Sequence, residues 1–297
     1  MKRKTKRKEL GFITQVEMTK PKTKLVYWSM FAILMAISLC MIVPALWILA
    51  SGFKDTEEFL KVPPTLVPQS FHPEKIKFVW EKFDYVLYFK NTFVLAAGTI
   101  LFTIVLNGLA GYVLSRLKPR GSRAVFTAIV LLMMIPGTVS MVPLYMTICD
   151  FPYLHLSMLD SYTALWIMAG ANCFNILVFK SFFDSLPIAY IEAAQIDGYN
   201  NLQIFYKIII PLSVPVIMTI SILTFNASWG DFLFPYLILT DKKMYTVSIF
   251  LFRNKSGSYP IDIYMIMLTL SILPPAIIFV FLQKHIIGGM TLGGIKE

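Results

Sequence analysis

Long apolar runs, separated by shorter stretches rich in lysine, proline and acidic residues, set the rhythm of this chain. The first run carries no charged residue from Leu25 to Phe53. About 20 helical residues cross the hydrocarbon core of a bilayer, so runs of this length predict membrane-spanning helices. Six are predicted, at about 25–50, 91–115, 124–148, 158–179, 212–232 and 261–282. The first is too long for a signal-peptide core and lacks a small-residue cleavage site, so it reads as a retained anchor. The fold class is all-α integral membrane. One six-span domain covers 25–283, preceded by a basic tail (1–24) and followed by a glycine-rich tail (284–297).

Two connections stand out. Between Gly52 and Lys90 lie Pro63, Pro64, Pro68 and Pro73. Proline fixes φ and removes a donor, so an irregular surface segment is predicted, with a short helix near Ile76–Phe83. The second connection, 180–211, patterns as helix, turn, helix. Pro187 suits a first helical turn, and Ile188 to Ile196 continue it. Asp197-Gly198 is a turn pair in which Gly198 tolerates φ > 0. A second amphipathic helix from about Tyr199 to Ile209 would set Leu202, Phe205 and Tyr206 on one face, and Pro211 opens the fifth span. On the residues alone, this hairpin either lies on the lipid headgroups or docks a partner.

Composition agrees with a bilayer environment. Of 297 residues, 57% are hydrophobic and 15% charged, against about 25% charged in ordinary soluble domains. The formal net charge is +10, but nine of the basic residues precede Leu25, where a basic head contacts anionic lipid headgroups. That placement excludes nucleic acid as the expected partner. With the N-terminus inside, seventeen Lys and Arg fall on inner segments and ten on outer ones. The positive-inside rule therefore puts both termini in the cytoplasm of a multi-pass plasma-membrane protein.

The candidate chemistry is sparse. Cys40, Cys149 and Cys173 form no C-x-x-C pair, and His72, His155 and His285 are scattered, so neither a disulfide framework nor a metal site is expected. No phosphate-binding loop, zinc pair or nucleophile elbow is present. No catalytic residue and no enzyme activity are therefore assigned. No Lys, Arg, Asp or Glu sits near the middle of any span, which argues against a proton-coupled carrier. Polar residues do enter the spans: Asn107, Asn172, Asn175 and Asn226, with Trp229 and Asp231 near the outer end of the fifth. These either hydrogen-bond between helices or line a hydrated pathway. Asn172 and Asn175, at i,i+3 on one helix face, are the stronger pathway pair.

The 180–211 loop also carries a motif. Glu192-Ala193-Ala194, three residues, Gly198, nine residues, then Ile208-Ile209-Ile210-Pro211 resembles the EAA signature of ABC-importer permeases. That signature reads E-A-A, three, G, nine, I-x-L-P, and the one departure is Ile210 for leucine. The likeness extends over about Ser51 to Glu297 and is to the carbohydrate (maltose-type) permeases. Lys54 with the Pro63–Pro68 loop, Asn91-Thr92, Ala110-Gly111-Tyr112 ahead of Arg116, and Pro136 and Pro143 with Leu144-Tyr145 follow that family's style. Trp229-Gly230-Asp231-Phe232 resembles its W-N-D/E-F segment, with Gly230 in place of asparagine. The end, Gly288 to Lys296, resembles its glycine-rich tail.

The resemblance implies a permease subunit that moves a carbohydrate, an oligosaccharide first among them, with energy from ATP hydrolysed elsewhere. No cofactor is expected on this chain, because ATP is bound by the partner ATPase subunits. The implied partners are a second homologous permease, two cytoplasmic ATP-binding-cassette subunits and an extracellular solute-binding protein. In this reading Glu192, Ala193, Ala194, Asp197, Gly198, Phe205, Ile208 and Pro211 form the ATPase-docking coupling loop. Gly293, Gly294 and Lys296 form the tail contact with the ATPase. The alternatives are an ABC permease for an amino acid, peptide or phosphate, and a stand-alone carrier.

Overall fold

The computed structural model describes residues 21–255 and 259–292, with side chains through Gln283. It divides into two units, 1–72 and 73–297, considered in turn. In the first, α1 (Pro21–Ser51) is one apolar helix. At 1.5 Å per residue its 31 residues run to about 46 Å, ample to cross a bilayer. The proline-rich segment that follows is organised around a buried acid. Glu58 accepts hydrogen bonds from Thr65 Oγ1 (2.8 Å) and from the Gln69 backbone N–H (2.9 Å). The buried Lys54 ammonium donates to the Thr65 carbonyl. The loop is irregular because its prolines cannot ladder, and it is ordered because its polar groups close on Glu58.

The second unit opens with α2 (Glu74–Lys82), the short helix expected near Ile76–Phe83. A left-handed Asp84 then turns the chain into α3 (Tyr85–Leu117). This helix starts six residues before the expected span and holds two π-helical turns, Thr103–Asn107 and Val113–Leu117. α13 (Ile261–Leu292) closes the chain.

The other apolar runs are not straight. Where the sequence predicts one helix over 124–148, α4 (Ser122–Leu132) and α5 (Gly137–Cys149) meet at 107°. Pro136 lacks an N–H and biases Ile135 away from helical geometry, so the run breaks there. The expected 158–179 span is α6 (Tyr162–Ala169) and α7 (Cys173–Ser185), bent by 45° across Gly170–Asn172. The fifth begins later than Leu212: α9 (Asn201–Leu212) and α10 (Val214–Gly230) bend by 79° at Ser213, just ahead of Pro215. Among the described residues, three helices are thus long and apolar enough to cross a membrane singly, and up to six crossings result if each bent pair is one span.

α3 is the central element. At one end Asn91 donates to the Lys243 and Tyr245 carbonyls, and the Trp166 indole donates to the Leu95 carbonyl. At the other end α3 crosses α7 so closely that a Cβ on Gly111 would stand 2.8 Å from Phe179 Cβ. Tyr112, Phe179, Phe183, Ile204, Phe205 and Ile209 then form a core that seats the connection after α7.

Candidate functional site

A cleft of about 490 Å3 opens between α3, the α6–α7 break, α10 and α11 (Leu233–Ile238). α3 supplies Thr99 and Thr103. The broken pair supplies Asn172, Phe174 and Asn175, and α10 supplies Thr224 and Ser228, with Asp231 just beyond its end. Thr224, Ser228 and Asp231 fall at i, i+4 and i+7 and so share one face. The cleft therefore mixes aromatic rings (Phe174 and Phe234) with amides, hydroxyls and one carboxylate.

The break that shapes this cleft is held by Asn107. Fully buried, it donates from Nδ2 to the Ala169 carbonyl (3.0 Å) and accepts at Oδ1 from the Asn172 N–H (3.0 Å). Both partners flank the gap between α6 and α7, so one side chain splints the two helix ends. Asn172 in turn caps α7, its Oδ1 accepting from the Asn175 N–H. The amide group of Asn175 makes no hydrogen bond among the described residues and lines the cleft. Asp231 Oδ1 accepts from the Leu233 N–H (3.1 Å), and its backbone carbonyl accepts from Ser248 Oγ (2.6 Å).

The structure thus sorts the six pathway candidates. Asn172, Asn175 and Asp231 share the cleft. Asn107 stands behind it, engaged in packing. Asn226 and Trp229 lie on the other side of α10, in a second, more apolar cleft of about 620 Å3 against α12 (Val247–Asn254) and α13. Trp229 is buried there, donating Nε1 to the Ser271 carbonyl (3.0 Å). Asn172 and Asn175 converge through a cap rather than a continuous helix face. Thr99, Thr103, Phe174, Thr224 and Ser228 escaped the sequence reading. For Thr224 and Ser228 the signal was their helical spacing from Asp231.

The loop between α7 and α10 forms a second candidate surface. α8 (Ala189–Ile196) ends at Asp197, and Gly198 at φ 79° reverses the chain. Asn200 and Gln203 then close a reciprocal capping box that starts α9 (2.9 Å each way), as an N-cap and its N3 amide do. Glu192, Ala193, Asp197, Gly198 and Pro211 are exposed, Ile208 is half-buried, and Ala194 and Phe205 are buried. Leu202, Phe205 and Tyr206 do not share an exposed face: Leu202 and Tyr206 point out while Phe205 packs on Tyr112. Phe205 and Tyr206, at i+3 and i+4 from Leu202, fall on opposite sides of it, and the core lies on the Phe205 side. Arg116 anchors the loop's base, donating to the Phe183 and Leu186 carbonyls at the end of α7. Gly293, Gly294 and Lys296 lie outside the described residues.

At the other end, Asp160 ties the α5–α6 connection to the segment after α11. Its carboxylate accepts from Thr240 Oγ1 (2.7 Å) and from the Asp241 and Thr240 N–H groups (3.0 and 2.6 Å). These bonds hold the carboxyl below its ordinary value of 3.8, the Thr240 hydroxyl first among them.

The model of the family described as "Binding-protein-dependent transport system inner membrane component" matches residues 105–291. This range holds α7, α10 and the loop between them. The chain is 28% identical over 292 residues to the polygalacturonan/rhamnogalacturonan transport system permease protein YtcP of Bacillus subtilis, covering 93% of this chain and 99% of that one. It is 30% identical over 268 residues to the arabinooligosaccharides transport system permease protein AraQ of the same organism, covering 88% and 93%. A crystal structure of a bacterial ABC transporter involved in alginate import contains a chain of the same fold. It has a TM-score of 0.78 at 21% identity, covering 89% of this chain and 98% of that one. With the matched range spanning more than half its length, this chain belongs to the family of binding-protein-dependent transport system inner membrane components.

Proposed function

We propose that the chain is the permease subunit of an ABC importer and that it passes an oligosaccharide through the cleft of Asn172, Asn175, Thr224, Ser228 and Asp231. The observation that carries this reading is the cleft's chemistry. Amides, hydroxyls and a carboxylate offer donors and acceptors for sugar hydroxyls, while Phe174 and Phe234 offer apolar faces for the ring C–H groups. Its similar proteins are named for both acidic and neutral saccharides, which supports the sugar class and leaves its charge open.

In this reading the chain crosses the membrane six times with both termini in the cytoplasm, each bent pair forming one broken span. It pairs with a second permease, two ATP-binding-cassette subunits and an external solute-binding protein. The exposed face of the 186–200 connection, with Glu192 and Ala193, docks an ATPase subunit. Ala194 and Phe205, being buried, hold that face in place, and the Gly293–Lys296 tail makes a further ATPase contact. α7 then acts as a rod about 20 Å long, from the cleft at Asn172 to the loop at Ser185. The chain has no phosphate-binding loop, so it supplies two packings of its helices and the ATPase biases them through differential contacts.

The test is affinity capture of the tagged chain from detergent, with and without Glu192→Lys. Recovery of a nucleotide-binding subunit that the variant loses supports the importer and its docking loop together. Recovery of the chain alone in both cases points to a stand-alone carrier and overturns the reading.

A further inference from the structure

The cleft sets amides and hydroxyls among apolar side chains, and Asp231 is the one charged residue among those described that line it. Among the same residues no lysine, arginine or histidine accompanies it. The cation of Arg253, in α12, is already held over the rings of Tyr236 and Tyr245 (5.1 and 4.7 Å). Recognition of an acidic sugar calls for a cation, most effectively a bidentate arginine, against each carboxylate. A hydroxyl-only sugar calls for acceptors and amides, which is the set present here. Asp231 is placed to receive a sugar hydroxyl through a charge-assisted hydrogen bond. The same carboxylate repels a uronate brought into the cleft, and like charges are most costly where water is partly excluded.

We infer that this cleft selects uncharged oligosaccharides against those built from uronic acids, and that Asp231 is the residue that discriminates. The inference rests on the carbohydrate reading above and narrows it. Asp231 lines the cleft together with Ser228 and Thr224 of α10, with Asn172 at the cap of α7 and with Asn175 within α7. A sugar ring seated among these residues would meet the carboxylate directly.

The test is equilibrium dialysis with the detergent-purified complex of this chain, its permease partner and the ATPase subunits, without the binding protein, which would impose its own filter. The probes are two mixed pools of matched length: neutral gluco-, galacto- and arabino-oligosaccharides, and oligogalacturonates with oligoalginates. Mass spectrometry reads the retained ratio. The wild-type complex is expected to retain the neutral pool at least about tenfold over the acidic pool, equivalent to about 1.4 kcal/mol. Asp231→Asn preserves the acceptor for the Leu233 N–H and should bring the ratio close to one. Ser228→Lys sets a cation three residues away on the same face, close enough to offset the Asp231 charge, and should favour the acidic pool. An equal or greater retention of the acidic pool by wild type, or a ratio that neither variant moves, overturns the inference and leaves the carbohydrate reading standing. Retention of neither pool above a protein-free control overturns the carbohydrate reading, and this inference with it.

Discussion

Asn107→Ala isolates the splint that holds the α6–α7 break. The side chain is fully buried and makes two hydrogen bonds of 3.0 Å, one to each side of the gap. Interhelical hydrogen bonds in membrane proteins contribute about 0.6 kcal/mol on average and up to about 1.7. Losing two therefore costs about 1–3 kcal/mol, and the void left by the amide adds to it. The Ala169 carbonyl keeps only a long contact from Thr103 Oγ1, at 3.4 Å. The exposed Asn172 borders the cleft, so water can reach its freed N–H and limit the penalty. A total near 2 kcal/mol lowers the thermal midpoint by about 5 °C in a chain of this size. Asn107→Asp keeps the acceptor for Asn172 but turns an oxygen toward the Ala169 carbonyl, so it should cost more than alanine.

A native reporter sits beside the break. Cys173 is the first residue of α7 and half-buried. With Cys40 and Cys149 changed to serine, maleimide labelling of Cys173 should accelerate several-fold in Asn107→Ala. Unchanged labelling together with an unchanged melting midpoint would refute the splint and return Asn107 to the pathway. Normal stability with altered sugar selection would say the same.

The remaining predictions concern the loop and the opposite end. Gly198 sits at φ 79°, and a Cβ added there would meet nothing within 4 Å, so its constraint is conformational. Gly198→Asn should be tolerated, whereas Gly198→Val should lose ATPase capture while the chain still inserts, at a backbone cost of about 1–2 kcal/mol. Normal capture by the valine variant counts against a fixed turn. Ala194→Arg should lower the melting midpoint, because Ala194 is buried in the core under the loop. Ala193→Arg, on the exposed side, should leave the midpoint unchanged and reduce capture; the opposite pattern would show that the faces are misassigned. The Asp160 carboxyl is held below its ordinary value of 3.8 by Thr240 and Asp241. Its contribution to the tie is therefore fully present above that value and lost as pH falls through the depressed one. Limited proteolysis of the 150–161 segment should increase below about pH 4 in wild type, and Asp160→Asn should abolish that dependence.

Much of the candidate site was legible in the sequence because two of its features are local. The spacing from Glu192 through Gly198 to Pro211 is fixed along the chain, and a glycine between two short helices reports a reversal wherever it occurs. Asn172, Asn175 and Asp231 were visible as polar residues inside apolar runs, since such positions need a partner or a water-lined surface. What was not legible is which neighbour each would meet. Asn107 and Asn226 look alike along the chain, yet one bridges a helix break and the other faces a second cleft across α10.

Contiguous residues are enough to specify the helical, membrane-directed character of the chain, its proline-rich connection and its hairpin between α7 and α10. Each follows from something local: the length of an apolar run, the missing donor of proline, the backbone freedom of one glycine. Packing alone selects where those runs bend, which side of α10 carries the more polar of its two clefts, and that Ala194 and Phe205 face inward while Glu192 and Ala193 face out. A helix in lipid is apolar on every side, so hydrophobic periodicity cannot say which face meets a neighbour. Close approach at Gly111, the splint at Asn107 and the ring packing of Phe205 against Tyr112 settle it, and each of these joins residues far apart in the chain.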